Sequence, residues 1–204
     1  MEVCPVQVEA DVSDGLPCFT MVGFPSTQVR EAQDRVRTAL KNNGISLPPK
    51  KVTVNLAPAD LKKEGAGFDL PVAAAVLAAA GLLDPKLLKG VLVVGELSLN
   101  GEVRSVSGVL PRVIRARELG CRYCMIPLGN FEEAALVRDM KVVGVRNIGE
   151  VLKFVSDPET FEKERVHSEE ERDGGITETG PVDFSEICGQ ESARRAAEIA
   201  VSGF

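Results

Sequence analysis

A two-layer α/β sandwich is the fold class this sequence predicts, and three observations carry it. The stretch Leu70 to Leu83 is almost wholly apolar, follows a glycine-rich turn at Gly65 and Gly67, and is too short to span a membrane. Short segments of alternating polarity, such as Val6–Val12 and Lys51–Leu56, precede it. After it, strand-like and helix-like patterns alternate to about Val155, a β-rich half followed by β-α-β units.

The central stretch predicts a core helix. Asp69 stands where an N-cap carboxylate would, Pro71 falls in the first turn, and ten residues without a polar side chain follow. A helix apolar on every face must be buried, and its alanines let neighbours approach closely.

In chain order, Val6–Val12 reads as a half-buried strand, Asp14-Gly15 as a tight turn, and Pro17–Val22 as a second strand, together a hairpin. From Thr27 to Asn43, Val29, Ala32, Val36, Ala39 and Leu40 follow helical spacing, and Gly44 stops the helix. Its other face carries Arg30, Arg35, Arg37 and Lys41, interrupted by Glu31 and Asp34, the pattern of a solvated surface. Lys51–Leu56 is a strand, and Val91–Leu97 reads as one interior strand. Asn100-Gly101 joins it to Glu102–Val106 as a hairpin. A helix over about Gly108–Leu119 carries Arg112, Arg115 and Arg117 on or near its outer side. Strands at Tyr123–Ile126 and Lys141–Val145 then alternate with helices at Asn130–Arg138 and Ile148–Val155.

Composition bounds the rest. With 204 residues, 44% of them hydrophobic, no tryptophan and one tyrosine, the chain can build one aliphatic core of ordinary domain size plus a further piece. The formal net charge of −6 lies in residues 157–181, where nine acidic residues face three basic ones; elsewhere the signs balance at 21 each. The folded part therefore has no global electrostatic reason to bind nucleic acid. Five cysteines, an odd number without framework spacing, fit a reducing compartment, and with no transmembrane span the expectation is a cytoplasmic protein. Cys121-Arg-Tyr-Cys124 has the spacing of a zinc half-site, but the single histidine, His167, lies in the acidic stretch. The pair reads as ordinary cysteines entering a strand, and no metal is expected.

Three domains are expected: residues 1–156 folded, 157–181 an acidic flexible linker, and 182–204 the opening of another domain. A piece of about 23 residues cannot support itself, so the chain is expected to be a fragment.

The motifs Asp14-Gly-Leu-Pro17, Val22-Gly-Phe-Pro25, Val54-Asn-Leu-Ala-Pro-Ala-Asp60, Lys63-Glu-Gly-Ala-Gly-Phe-Asp-Leu-Pro71, Gly95-Glu-Leu-Ser-Leu-Asn-Gly101 and Gly108-Val-Leu-Pro111 resemble, in this order, the N-terminal region of the magnesium-chelatase-like AAA+ ATPases, the YifB/ComM group. The resemblance implies a Lon-protease-like domain of the ribosomal-protein-S5 domain 2-like fold, followed by an ATPase module. Asp183-Phe-Ser-Glu-Ile-Cys-Gly-Gln190 is similar to the segment beside the adenine in such modules, which makes Ile187, Gly189 and Gln190 candidate nucleotide-side residues. Family chains usually begin with a further strand upstream of Val3.

Two departures decide the chemistry expected. Lon-type peptidases need a serine at the glycine-rich turn and a lysine base from a later helix. Aligning the motifs puts Gly67 at the serine position and Leu110 at the lysine position, and neither can do that work. A relocated dyad of Ser105 or Ser107 with Lys62 or Lys63 is conceivable but rests on a common chance pairing. Nor does any G-x-x-x-x-G-K-[ST] loop occur, and Gly65-Ala-Gly67 sits between Glu64 and Asp69, whose charge repels an anion. The expectation is a non-catalytic accessory domain needing no cofactor of its own. The intact protein would use ATP and magnesium as a DNA branch-migration motor of the competence type. Its partners would be its own AAA+ module and neighbouring subunits of a hexameric ring. The alternatives are an active Ser-Lys peptidase, or direct DNA binding through Arg30, Arg37, Lys41, Lys50 and Lys51, supported by Arg112 and Arg115.

Overall fold

A computed structural model describes residues 3–158, 160 and 161, and, of the tail, residues 192, 195, 196 and 199. The chain divides into two compact units, Met1–Lys163 and Glu164–Phe204. In the second, the four described residues are helical and exposed. Most of the expected linker and the candidate nucleotide-side residues Ile187, Gly189 and Gln190 lie outside the described residues.

The first unit is a mixed α/β fold with its helices packed on small sheets, as the sequence predicts. Strands β1 (Gln7–Ser13), β2 (Cys18–Val22) and β3 (Lys51–Ala57) form one sheet in the order β1-β3-β2. This corrects the expected hairpin. Strand β3 runs antiparallel to β1 and parallel to β2, so Ser13 and Cys18 both face Lys51. Alternating polarity fixes which face of a strand is buried but not which strand lies beside it. With Val52, Val54 and Leu56 all buried, β3 is the strand that takes the centre.

Between β2 and β3 lie α1 (Thr27–Arg30) and α2 (Ala32–Asn42), one expected helix broken at Glu31, with Ser26 Oγ accepting from the Val29 N–H as N-cap. Helix α3 (Asp69–Ala79) is the predicted core helix, entered through a 3₁₀ turn at Ala66–Phe68 and closed by Gly81 in the left-handed conformation. Leu70, Val72, Ala73, Val76 and Leu77 are buried, each large one contributing about 1.5–3 kcal/mol. One flank is only half-buried: Ala75, Ala78 and Ala79 line a groove between the outer edges of the two sheets.

After the short α4 (Pro85–Leu88) come β4 (Val91–Val93), β5 (Glu96–Leu97), β6 (Val103–Arg104), α5 (Val109–Glu118), β7 (Tyr123–Pro127), α6 (Phe131–Ala135), β8 (Lys141–Val145) and α7 (Ile148–Ser156). Strands β4, β7 and β8 make a parallel sheet in the order β4-β7-β8, while β5 and β6 pair separately. The single strand expected over Val91–Leu97 is therefore two. The chain leaves the sheet at Gly95, whose N–H donates to the Gly67 carbonyl (3.1 Å) and whose carbonyl accepts from the Leu70 N–H (3.0 Å). The helix expected over Asn130–Arg138 shortens to α6, with Asn130 bonding Val106 at both its amide atoms.

Packing continues past Ser156. Phe161 is 6% exposed and meets the Phe154 ring edge-on at 5.7 Å, inside the stretch expected as linker. Among the described residues, no helix is long and apolar enough to cross a membrane.

Candidate functional site

The glycine-rich turn is held from both sides. On one, the Lys63 N–H donates to the Phe24 carbonyl (3.1 Å) and the Ser26 N–H to the Lys63 carbonyl (2.9 Å). The Gly23 that leads into this contact has φ +91°, and any side chain there would collide with the Leu56 backbone. The Lys63 side chain is buried, with Nζ donating to the Pro58 carbonyl. On the other side lie the Gly95 bonds. The turn is therefore a fixed platform carrying Gly67.

Asp69 is not the N-cap the sequence suggests. Phe68 takes that position without a side-chain bond, and Asp69 is the first helical residue, fully buried. Its carboxylate faces Arg35 in a fork: Nε donates to Oδ2 at 2.7 Å and Nη2 to Oδ1 at 2.9 Å, while the Leu97 N–H donates to Oδ2 at 3.1 Å. Arg35 also donates to the Gln28 carbonyl and lies 3.5 Å from Glu31. The hydrogen bond to Asp69 holds the Arg35 guanidinium above its usual range, against the opposing effect of burial. Arg35, expected on a solvated face, is thus the pin between α2, the mouth of α3 and β5.

Gly67 has a different neighbour. A Cβ placed there would lie 3.3 Å from Val94 Cγ1 and 3.4 Å from Arg112 Nη1. Among the described residues that Nη1 is buried without a hydrogen-bond partner, and so is Nε of Arg115, whose Nη1 is taken by Glu118 at 2.8 Å. Burial pushes the Arg112 guanidinium below its usual range. Both arginines were expected on the outer side of their helix. Instead Arg112 turns into a cavity of about 260 Å³ walled mainly by apolar side chains, among them Val6, Val8, Phe68, Pro71, Val94 and Leu119, with Gly67 at its side. Arg115, its side chain 43% exposed, borders the same cavity through its buried Nε.

The other predicted residues fall elsewhere. Leu110 packs with Val109, Val113 and Ile126 in a second apolar cluster, so it is Arg112 that α5 presents to Gly67. Ser105 and Ser107 are exposed, Lys62 pairs with Glu64 at 2.5 Å, and Lys63 is spent on Pro58. Arg30, Arg37 and Lys41 are exposed on α1 and α2, Lys51 is exposed at the start of β3, and Lys50 pairs with Asp14 at 2.9 Å. Cys124 is buried in β7, and desolvation, with a smaller push from Cys121, raises its thiol to about 12. A thiol kept protonated in this way is a poor nucleophile and a poor metal ligand at neutral pH.

Chemically, the arrangement is a rigid backbone turn, an apolar cavity and two guanidinium donors in search of an acceptor. Asp69, expected to repel an anion here, is neutralised by Arg35, and Glu64, which borders the cavity, pairs with Lys62. The arrangement therefore suits holding an anionic group more than attacking a carbonyl.

Comparison with known proteins identifies the family. Residues 8–130 match the family described as subunit ChlI of Mg-chelatase. The chain is 41% identical over 200 residues to competence protein ComM of Haemophilus influenzae and 37% identical over 199 residues to the uncharacterized protein YifB of Escherichia coli. These alignments cover 97% and 98% of this chain but 38% of each relative, so the chain spans well under half of their length. It is also 32% identical over 133 residues to the archaeal Lon protease of Pyrococcus abyssi, 63% of this chain and 12% of that protein. The chain belongs to the ChlI-type Mg-chelatase family, in its YifB/ComM group.

Proposed function

We propose that residues 1–156 are a non-catalytic accessory domain of an AAA+ ATPase, and that the whole protein is an ATP-driven DNA motor of the competence type. The observation that supports the first half is the side of Gly67: the turn aligned with a peptidase's serine offers no hydroxyl there, and the side-chain atoms nearest to it are a Val94 methyl and the Arg112 guanidinium. The second half rests on the similarity to competence protein ComM over nearly the whole chain.

In this reading the domain's rigid core transmits or positions, while the module after residue 182 binds ATP and magnesium and assembles with its neighbours into a ring in the cytoplasm. The test is made on the protein in its full natural length. ATP hydrolysis should be stimulated by forked DNA, and labelled strands should be displaced only with ATP and magnesium present. Hydrolysis indifferent to DNA would overturn the motor reading.

A further inference from the structure

The cavity beside Gly67 is where an unmet chemical demand is concentrated. A buried N–H of a group that stays charged at all accessible pH loses its water and gains nothing in exchange, a cost of about 1–3 kcal/mol for an unsatisfied donor and more when charged. Arg112 Nη1 is such a donor, and Arg115 Nε, buried on a side chain otherwise 43% exposed and paired with Glu118, lies on the same helix at a spacing of three and borders the same cavity. Guanidinium forks pair best with planar oxyanions. The rest of the wall is mostly aliphatic and aromatic, with Glu64, paired to Lys62, and two cysteines also bordering it, which favours a ligand with an apolar body over a free phosphate.

We propose that this cavity binds the C-terminal carboxylate of an apolar peptide segment, with Arg112 as the principal contact and Arg115 as its support. A serine peptidase leaves its acyl product as a carboxylate at the nucleophile. Here the corresponding turn offers Gly67, without an attacking group, beside a guanidinium suited to holding such a product end. The side chain before the carboxylate packs against Val94 and Phe68, and the lowered affinity of the Arg112 guanidinium for its proton is restored when the anion arrives. The inference rests on the non-catalytic reading of the turn, and the experiment separates the two.

Fluorescence anisotropy of the chain with an N-terminally fluorescein-labelled apolar pentapeptide, Ala-Val-Leu-Ala-Val, compares the free acid with its C-terminal amide and with an amide carrying one internal Glu. The acid is expected to bind at least 10-fold more tightly than either amide, and Arg112→Leu should abolish the preference. Arg112→Lys, which keeps the charge but loses the fork, should retain part of it. Thermal melting checks that each variant is folded, and the acid-to-amide ratio on the unaltered chain needs no variant. Equal affinities, no binding of the acid, or a preference for the internal Glu overturns the inference and leaves the non-catalytic reading standing. Cleavage of the peptide, seen by mass spectrometry, overturns both.

Discussion

Arg35 and Arg112 reach the same turn, and among the described residues only one of them finds a partner. Arg35 closes a fork on the buried Asp69, which also receives the Leu97 N–H, so charge and donors are matched. Arg112, two residues along the turn at Gly67, ends in a buried nitrogen with no acceptor among the described residues. The first contact fixes the mouth of α3 to α2. The second leaves a charge waiting, and folds rarely keep such a cost without a use. The satisfied arginine is architecture, and the unsatisfied one marks the site.

That contrast is most easily broken at Arg35. Arg35→Ala leaves the Asp69 carboxylate buried and unpaired, and should cost about 3–5 kcal/mol in urea denaturation. A loss below about 1 kcal/mol would mean that the fork does not organise the turn.

Cys124 sharpens the contrast, since burial without a partner acts differently on a group that can shed its charge. The buried thiol ionises near 12, the unfolded one near its ordinary value of 9.0. Above pH 9 the unfolded chain therefore binds fewer protons than the native one. The stability that the neutral thiol contributes is complete below pH 9 and is lost as pH rises toward 12. About 1–2 kcal/mol should be gone by pH 10, and Cys124→Val should flatten that part of the stability profile. An unchanged profile in the variant would contradict it.

A guanidinium has no such escape, so Arg112→Leu should have the smallest effect and the opposite sign. Removing an unsatisfied donor into an apolar wall should leave stability unchanged or raise it by up to about 1 kcal/mol. Destabilisation of the size expected for Arg35→Ala would show that Arg112 is architecture as well.

Most of the elements were legible in the sequence because each rests on local periodicity: the core helix at α3, the strands at β1, β3, β7 and β8, and the turn at Gly65. Partners across the chain were not. The alternation in Val6–Val12 and Lys51–Leu56 says which side chains point inward, but the choice of β3 as the central strand depends on how three segments share one face. Asp69 before Pro71 looks like a cap because the competing partner, Arg35, stands 34 positions away. Arg112 left a fainter signal. Its helix offers no carboxylate three or four residues away on either side, only Gly108, Val109, Arg115 and Ala116. An arginine bordering the apolar stripe of Val109, Val113 and Ala116 with no local counter-ion is a candidate for a buried, unmet donor.

In the proposed reading a Lon-like scaffold here presents neither nucleophile nor base at the mouth of its core helix. The most direct test of that reading is incubation with a fluorophosphonate probe and unfolded casein, followed by mass spectrometry of the protein and the substrate. Intact casein and an unmodified chain are the predicted result. An adduct on Ser105 or Ser107, lost when Lys62 or Lys63 is replaced by Met, would contradict it.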